Sequence, residues 1–183
     1  MKKQVRQVAF LMAALCGVSA TSSVQAERTL SEPPAMAAKA VLSPTQGSQV
    51  FGTVRFMPVA EGVKVIAEVS GLTPGEHGFH VHAFGDCSAP DAMSAGGHFN
   101  PSHQAHGAPG AGQQHKGDLG NLIADAAGKA HYEMIVKHAS LYGADSIIGH
   151  AVIVHAQKDD LHSQPAGNAG ARVACGVIGF AAP

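Results

Sequence analysis

The chain has 183 residues, 45% hydrophobic and 14% charged, which is enough apolar material for a core and argues against disorder along the whole length. A formal charge of −1 gives no electrostatic footprint for nucleic acid. The 22 glycines, the absence of tryptophan and an aromatic content of 5% suit short strands joined by turns better than a helical bundle. Histidine is the outlier: 12 residues, as many as lysine and arginine together, of the commonest metal-ligand type.

Residues 1–26 read as a cleaved signal peptide. Lys2, Lys3 and Arg6 precede an apolar run over 8–18 that is too short to span a bilayer. Val24, Gln25 and Ala26 offer a cleavage site, so the mature chain starts at Glu27, with Ala20 as a second cut. Cys16 raises a lipoprotein alternative, against which stands the bulky Leu15. The leader carries three of the 12 basic residues and none of the 13 acidic ones, so the mature chain has a formal charge of −4. Cys87 and Cys175 remain. An even pair in an exported protein reads as one disulfide, two buried free thiols being the weaker alternative.

Residues 27–36 are polar and contain Pro33 and Pro34, a flexible N-terminal extension ahead of a single domain over 37–183. Val50, Gly52, Val54 and Phe56 alternate with Phe51, Thr53, Arg55 and Met57. Val63, Val65, Ala67 and Val69 do the same with Lys64, Glu68 and Ser70. This is the period of half-buried strands, and a turn over 58–62 makes them a hairpin. Phe79, Val81 and Ala83 alternate with His80, His82 and Phe84. Runs at 122–124 and 131–137 flank a turn at 125–128, and short apolar runs follow at 151–155 and 174–179. Seven or eight strands and no sustained helical period predict an antiparallel sandwich or barrel. Segments 84–118 and 156–173 are long, polar and rich in Gly and Pro, the usual place for function.

The histidines gather in these places. His80 and His82, two apart on a strand, point to one face and form a bidentate metal site, although such a pair is as often surface decoration. His98, His106, His115 and Asp118 fall within the first long segment. Three imidazoles and a carboxylate make a closed tetrahedral site, the structural zinc pattern; the alternative is a polar loop that binds metal loosely. His155 ends an apolar run and can join His80 and His82 at the barrel rim. With one loop histidine this gives four nitrogen donors, which favour copper(II). Arg172 lies in a Gly-rich turn before the strand of Cys175. Beside copper it would attract a small anion; otherwise it is a solvated loop arginine.

Six stretches carry a family resemblance: HGFHVH (77–82), GDCSAPD (85–91), SAGGHFNP (94–101), HKGDLGN (115–121), VIVHAQKDD (152–160) and GNAGARVACGVIG (167–179). With them, residues 37–183 resemble an exported bacterial copper/zinc superoxide dismutase. The resemblance implies an eight-stranded antiparallel Greek-key barrel with two long functional loops. It implies one copper per subunit on His80, His82, His98 and His155, and one zinc on His98, His106, His115 and Asp118. His98 would bridge the metals and Arg172 would guide superoxide, these two being the catalytic residues. Asp159 would hydrogen-bond a copper histidine and a zinc histidine, and Cys87–Cys175 would form the disulfide. The remaining histidines match no ligand and default to structural hydrogen bonding or the surface.

The implied reaction converts superoxide to O₂ and H₂O₂ by alternating Cu(II)/Cu(I) redox at a copper–imidazolate–zinc centre, in the periplasm. No membrane span survives signal cleavage, and the resemblance leaves the oligomer open, with a homodimer as one candidate assembly. Two departures bear on steering: the 160–172 loop is short and poor in charge, and His150 stands where the eukaryotic branch has arginine. The rival reading is a periplasmic copper/zinc-binding protein without turnover, which would need neither His155 nor Arg172.

Overall fold

The computed structural model describes residues 36–181. The signal peptide read at 1–26, and all of the 27–36 extension but Met36, lie outside the described residues. The strands are β1 (Ala38–Pro44), β2 (Phe51–Val59), β3 (Gly62–Ser70), β4 (Gly75–His82), β5 (Asp118–Ala124), β6 (Ala130–Val136), β7 (Ala151–His155), β8 (Arg172–Val177) and β9 (Gly179–Phe180). Their order is β2-β3-β6-β5-β4-β7-β8-β1-β9, and a further β1–β2 pairing closes the sheet. β8 and β9 both pair with β1 and are separated by Ile178 alone, so they form one stave of an eight-stranded antiparallel barrel. β3 pairs with β6 and β4 with β7, the long-range neighbours of a Greek key. Among the described residues no helix is long and apolar enough to cross a membrane.

β1 was not singled out from the sequence. Its buried positions Ala38, Ala40 and Leu42 alternate with Lys39 and Val41, but small alanines give a weak hydrophobic signal. Pairing with β2 on one side and β8 on the other makes it a stave. The β2–β3 turn is also shorter than 58–62: Val59 pairs with Gly62, leaving Ala60 and Glu61 as the turn and Pro58 inside the strand. In such a hairpin the closing pair exchanges hydrogen bonds, so Pro58 turns its nitrogen away from β3. The β1–β2 pairing has ended at Phe56, so no ladder bond is lost there.

The barrel is filled by Val54, Phe56, Val65, Phe79, Leu122 and Val154, all with no exposed surface. β4 departs from the expected half-burial, because every residue from His77 to His82 is buried. Phe79 and Val81 face the core; His80 and His82 face outward and are covered by the long loops. A second cluster outside the barrel joins Ala92, Ala95, Ala151, Ile153 and Cys175, with Cys87 packed against it. The Cys87–Cys175 disulfide ties the first long loop to β8, with Cα atoms 5.8 Å apart.

Two register shifts interrupt the ladders, between Gly78 and His80 on β4 and between Val154 and His155 on β7. In the first, β5 carries the extra residue, and Gly120 there adopts φ +80, a conformation open to glycine. In the second, His155 pairs with Arg172 and Val173 is the extra residue. Bulges re-aim side chains, and both fall where histidines gather.

Candidate metal centre

β4 supplies His80 and His82, and β7 supplies His155 from the neighbouring strand. Pairing of β4 with β5 ends at His80 and Asp118, and the loop takes over the freed edge. Phe99 N–H donates to Val81 O, Val81 N–H to Gly117 O and Ala83 N–H to Gly97 O, each at 2.8 Å. These bonds dock His98 beside His82, and the loop then carries His106 and His115 over Asp118.

Two groups of four result: His80, His82, His98 and His155, and His98, His106, His115 and Asp118. Within each, one ligand atom per residue lies within 4.8 Å of the others, and His98 belongs to both. The seven predicted ligand residues are thus brought together.

The second nitrogen of most rings is engaged elsewhere. His80 Nε2 donates to Asp159 Oδ2 at 2.8 Å and His106 Nε2 to Asp159 Oδ1 at 2.9 Å. His82 Nδ1 donates to Gly96 O at 2.8 Å and His155 Nδ1 to Gly170 O at 3.1 Å. Such partners fix a ring's tautomer and direction. The nitrogens left over converge. His80 Nδ1, His98 Nε2 and His106 Nδ1 are buried without a hydrogen-bond partner, and His82 Nε2 lies 3.4 Å from His155 Nε2. Orphaned buried nitrogens are costly unless something binds them.

On the other side Asp118 Oδ1 lies 2.8 Å from His98 Nδ1, 3.0 Å from His106 Nδ1 and 3.2 Å from His115 Nδ1. His115 Nδ1 and His98 Nδ1 are 3.3 Å apart. A tetrahedral zinc with bonds of about 2.0–2.1 Å sets its ligand atoms about 3.3 Å apart. The donor set therefore fits zinc, and the four-nitrogen group fits copper.

Electrostatics sort the same residues in the metal-free chain. Burial lowers the pKa of His80 and His82, helped at His82 by neighbouring His98. Burial also takes His98 down to about 4 and His155 to about 3, so all four rings are neutral ligands at pH 7. Burial opposes the charge on His106 as well, but the adjacent carboxylates of Asp118 and Asp159 outweigh it and raise the group to about 9. Both carboxylates are held below their ordinary range despite burial, chiefly by the adjacent His106.

A cavity of about 740 Å³ opens over His82, His98 and His155. Among the described residues lining it, Arg172 is the one Lys or Arg and Asp91 the one carboxylate. Arg172 is not a freely solvated arginine: Nη1 donates to Ala92 O and Nη2 to Gly96 O, both at 2.6 Å. Lys158 instead pairs with Glu76 at 2.6 Å and does not line the cavity.

A family model described as copper/zinc superoxide dismutase matches residues 50–178. The chain belongs to the copper/zinc superoxide dismutase family. It is 44% identical over 152 residues to an extracellular superoxide dismutase [Cu-Zn] of Brugia pahangi, covering 78% of this chain and 75% of that one. It is 45% identical over 148 residues to a superoxide dismutase [Cu-Zn] of Onchocerca volvulus, covering 75% and 93%. Both relatives are nematode proteins, so they lend no support to a bacterial branch within the family.

Sequence reasoning missed the backbone of the site. The carbonyls of Gly96 and Gly170 orient two rings, and no side-chain pattern marks them. Gly167 was read only as part of a turn. Its φ is +65, and a Cβ there would overlap the Asp159 carboxylate and press on His106 Nε2. Of the remaining histidines, His77 is buried with Nδ1 2.8 Å from His155 O, and His150 Nδ1 donates to Ala83 O at 2.7 Å. Both are structural, as expected.

Proposed function

We propose that the chain is an exported superoxide dismutase whose domain over 37–183 holds copper on His80, His82, His98 and His155 and zinc on His98, His106, His115 and Asp118. The observation that supports this is that two complete donor groups share one ring, His98. When bound, copper supplies one-electron redox chemistry, and zinc, which is redox-inert, supplies fixed positive charge.

The chain's own residues do the rest. Arg172 draws superoxide into the cavity and orients it with the guanidinium donors left over from Ala92 and Gly96. His98 holds a proton at Nε2 and hands it to the reduced oxygen, while Nδ1 faces Asp118 and keeps the ring in place. Asp159 holds His80 and His106 in one frame, so neither ring can turn without the other. The balance is two superoxide anions and two protons to one O₂ and one H₂O₂.

The finer assignments rest on the sequence. The leader at 1–26 supports export, and the name of one relative includes "extracellular". The exported bacterial type, and with it the periplasm, is proposed on the resemblance carried by the motifs over 77–179. A homodimer is proposed on an apolar face: Val41 and Val177 are 61% and 44% exposed on adjacent strands, and Phe84, at 62%, precedes the Gly85 that packs on Val177. Sedimentation of the mature protein checks that assembly.

Metal content measured with superoxide turnover tests the function. One copper and one zinc per chain, with turnover lost on copper removal, is the expected result. Both metals bound with no turnover would leave a metal-binding protein instead.

A further inference from the structure

The 160–172 loop is short and poor in charge, so its use is not explained by steering. It is knitted to itself. Asp160 Oδ1 accepts from Ser163 N–H at 2.8 Å and His162 N–H at 3.0 Å, and Asp160 N–H donates to Gly167 O at 2.8 Å. Gly167 N–H donates to Ser163 O at 2.7 Å, and Asn168 Nδ2 donates to Asp160 Oδ2 at 3.0 Å. All five of these bonds join residues within 160–168, so this part of the loop forms a small platform.

One side chain reaches from that platform to the zinc side of the centre. Gln164 Oε1 accepts from His106 N–H at 2.8 Å, and Gln164 Nε2 donates to His106 O at 2.9 Å. The carboxamide thus pairs with both backbone groups of His106, as a neighbouring β-strand would. No strand is there to do so, because His106 sits in the long loop between β4 and β5. Among the described residues, Gln164 is the hydrogen-bond partner of that N–H and that carbonyl alike. His106 is 4% exposed, so solvent gives little substitute. The ring of the same residue is held from below by Asp159 Oδ1.

We infer that Gln164 is a positioning residue that clamps the His106 peptide, and through it the ring, in the zinc-binding pose before any metal arrives. The inference rests on the proposed reading of His106 as a zinc ligand. A ring held only at Nε2 can pivot about its hydrogen bond to Asp159; fixing the peptide as well removes that freedom. Neighbouring Pro165 and Ala166 line the cavity beside His155 and Arg172, so the clamp also holds the cavity wall in register. In this chain the shortened loop organises the metal site.

The test uses the disulfide-bonded mature protein and two variants. Gln164→Met keeps length and apolar stem but loses both hydrogen bonds; Gln164→Glu keeps the acceptor and loses the donor. In metal-free protein, His106 amide exchange should accelerate about tenfold in Gln164→Met and less in Gln164→Glu. Amides of Val54 and Val65 in the barrel should keep their parental rates, which separates a local effect from failed folding. In zinc-loaded protein, release to a chelator should be about tenfold faster in Gln164→Met. The visible spectrum of the fully loaded variant should be unchanged. An unchanged His106 amide rate overturns the clamp, and so does an equal acceleration of His106 and barrel amides. Failure of the unsubstituted protein to bind zinc would overturn the metal reading instead, with the amide rates of the metal-free chain still deciding the clamp.

Discussion

His82 and Arg172 hang from one carbonyl. Gly96 O accepts from His82 Nδ1 at 2.8 Å and from Arg172 Nη2 at 2.6 Å. A ring proposed to hold copper and the cation proposed to hold superoxide thus share a backbone anchor. That anchor lies in the loop that Cys87–Cys175 ties to β8.

Arg172 is expected to govern the encounter with superoxide. With the proposed cut after Ala26 the chain carries a formal charge of −4, which repels a monoanion, so attraction must come from inside the cavity. Arg172→Ala should lower the second-order rate about tenfold with both metals retained. Arg172→Lys should fall between, since charge returns without the planar fork. Raising ionic strength should slow the parent more than Arg172→Ala. Stopped-flow superoxide decay across a salt series checks all three.

Asp159 joins the two groups through His80 and His106. Asp159→Asn removes an acceptor and puts an amide where two imidazoles donate. Metal affinity should fall by about 10–100-fold, zinc affected at least as much as copper, because His106 also loses its ionic partner. Competition against a chelator for each metal provides the measurement. Retention of both affinities would mean that the rings are oriented by packing alone.

Removing the disulfide should act on stability and turnover together. The bridge closes 88 residues of chain, which in the chain-entropy model stabilises by about 4–5 kcal/mol. Cys175→Ser should lower the urea midpoint accordingly. It also frees the segment carrying Ala92 O and Gly96 O, so turnover should fall even where the chain stays folded and metal-loaded. Thiol titration of the unfolded, unreduced parent should find no free thiol.

The metal-free protein should be most stable near pH 6.5. His98 and His155 are lowered from 6.5 to about 4 and 3. Below pH 6.5 the unfolded chain takes up protons that the folded chain refuses, so stability falls as pH drops towards those values. His106 is raised to about 9, so its contribution is complete below 6.5 and is lost as pH rises to about 9. Denaturant midpoints measured every half pH unit in chelator should trace a dome. A flat curve would mean that these rings titrate as they do in the unfolded chain.

The fold class, the seven residues of the two donor groups and Arg172 were legible in the sequence because they are side-chain signals. Alternation marks a strand, and His80 and His82 share a face by the pleat alone. The motifs over 77–179 then carried the family. Other features became visible only in three dimensions. β1 hid behind small alanines, and Pro58 sits in a strand because a neighbouring stave ends early. The full burial of β4 depends on loops that cover its outer face, which strand periodicity cannot report. The same holds for the clamp on His106 and the shared carbonyl of Gly96. A backbone carbonyl has no residue-type signature, and a lone glutamine 58 positions from its partner makes no pattern. Sequence spacing names the donors of the centre; only the folded chain decides which atom of each ring is left free.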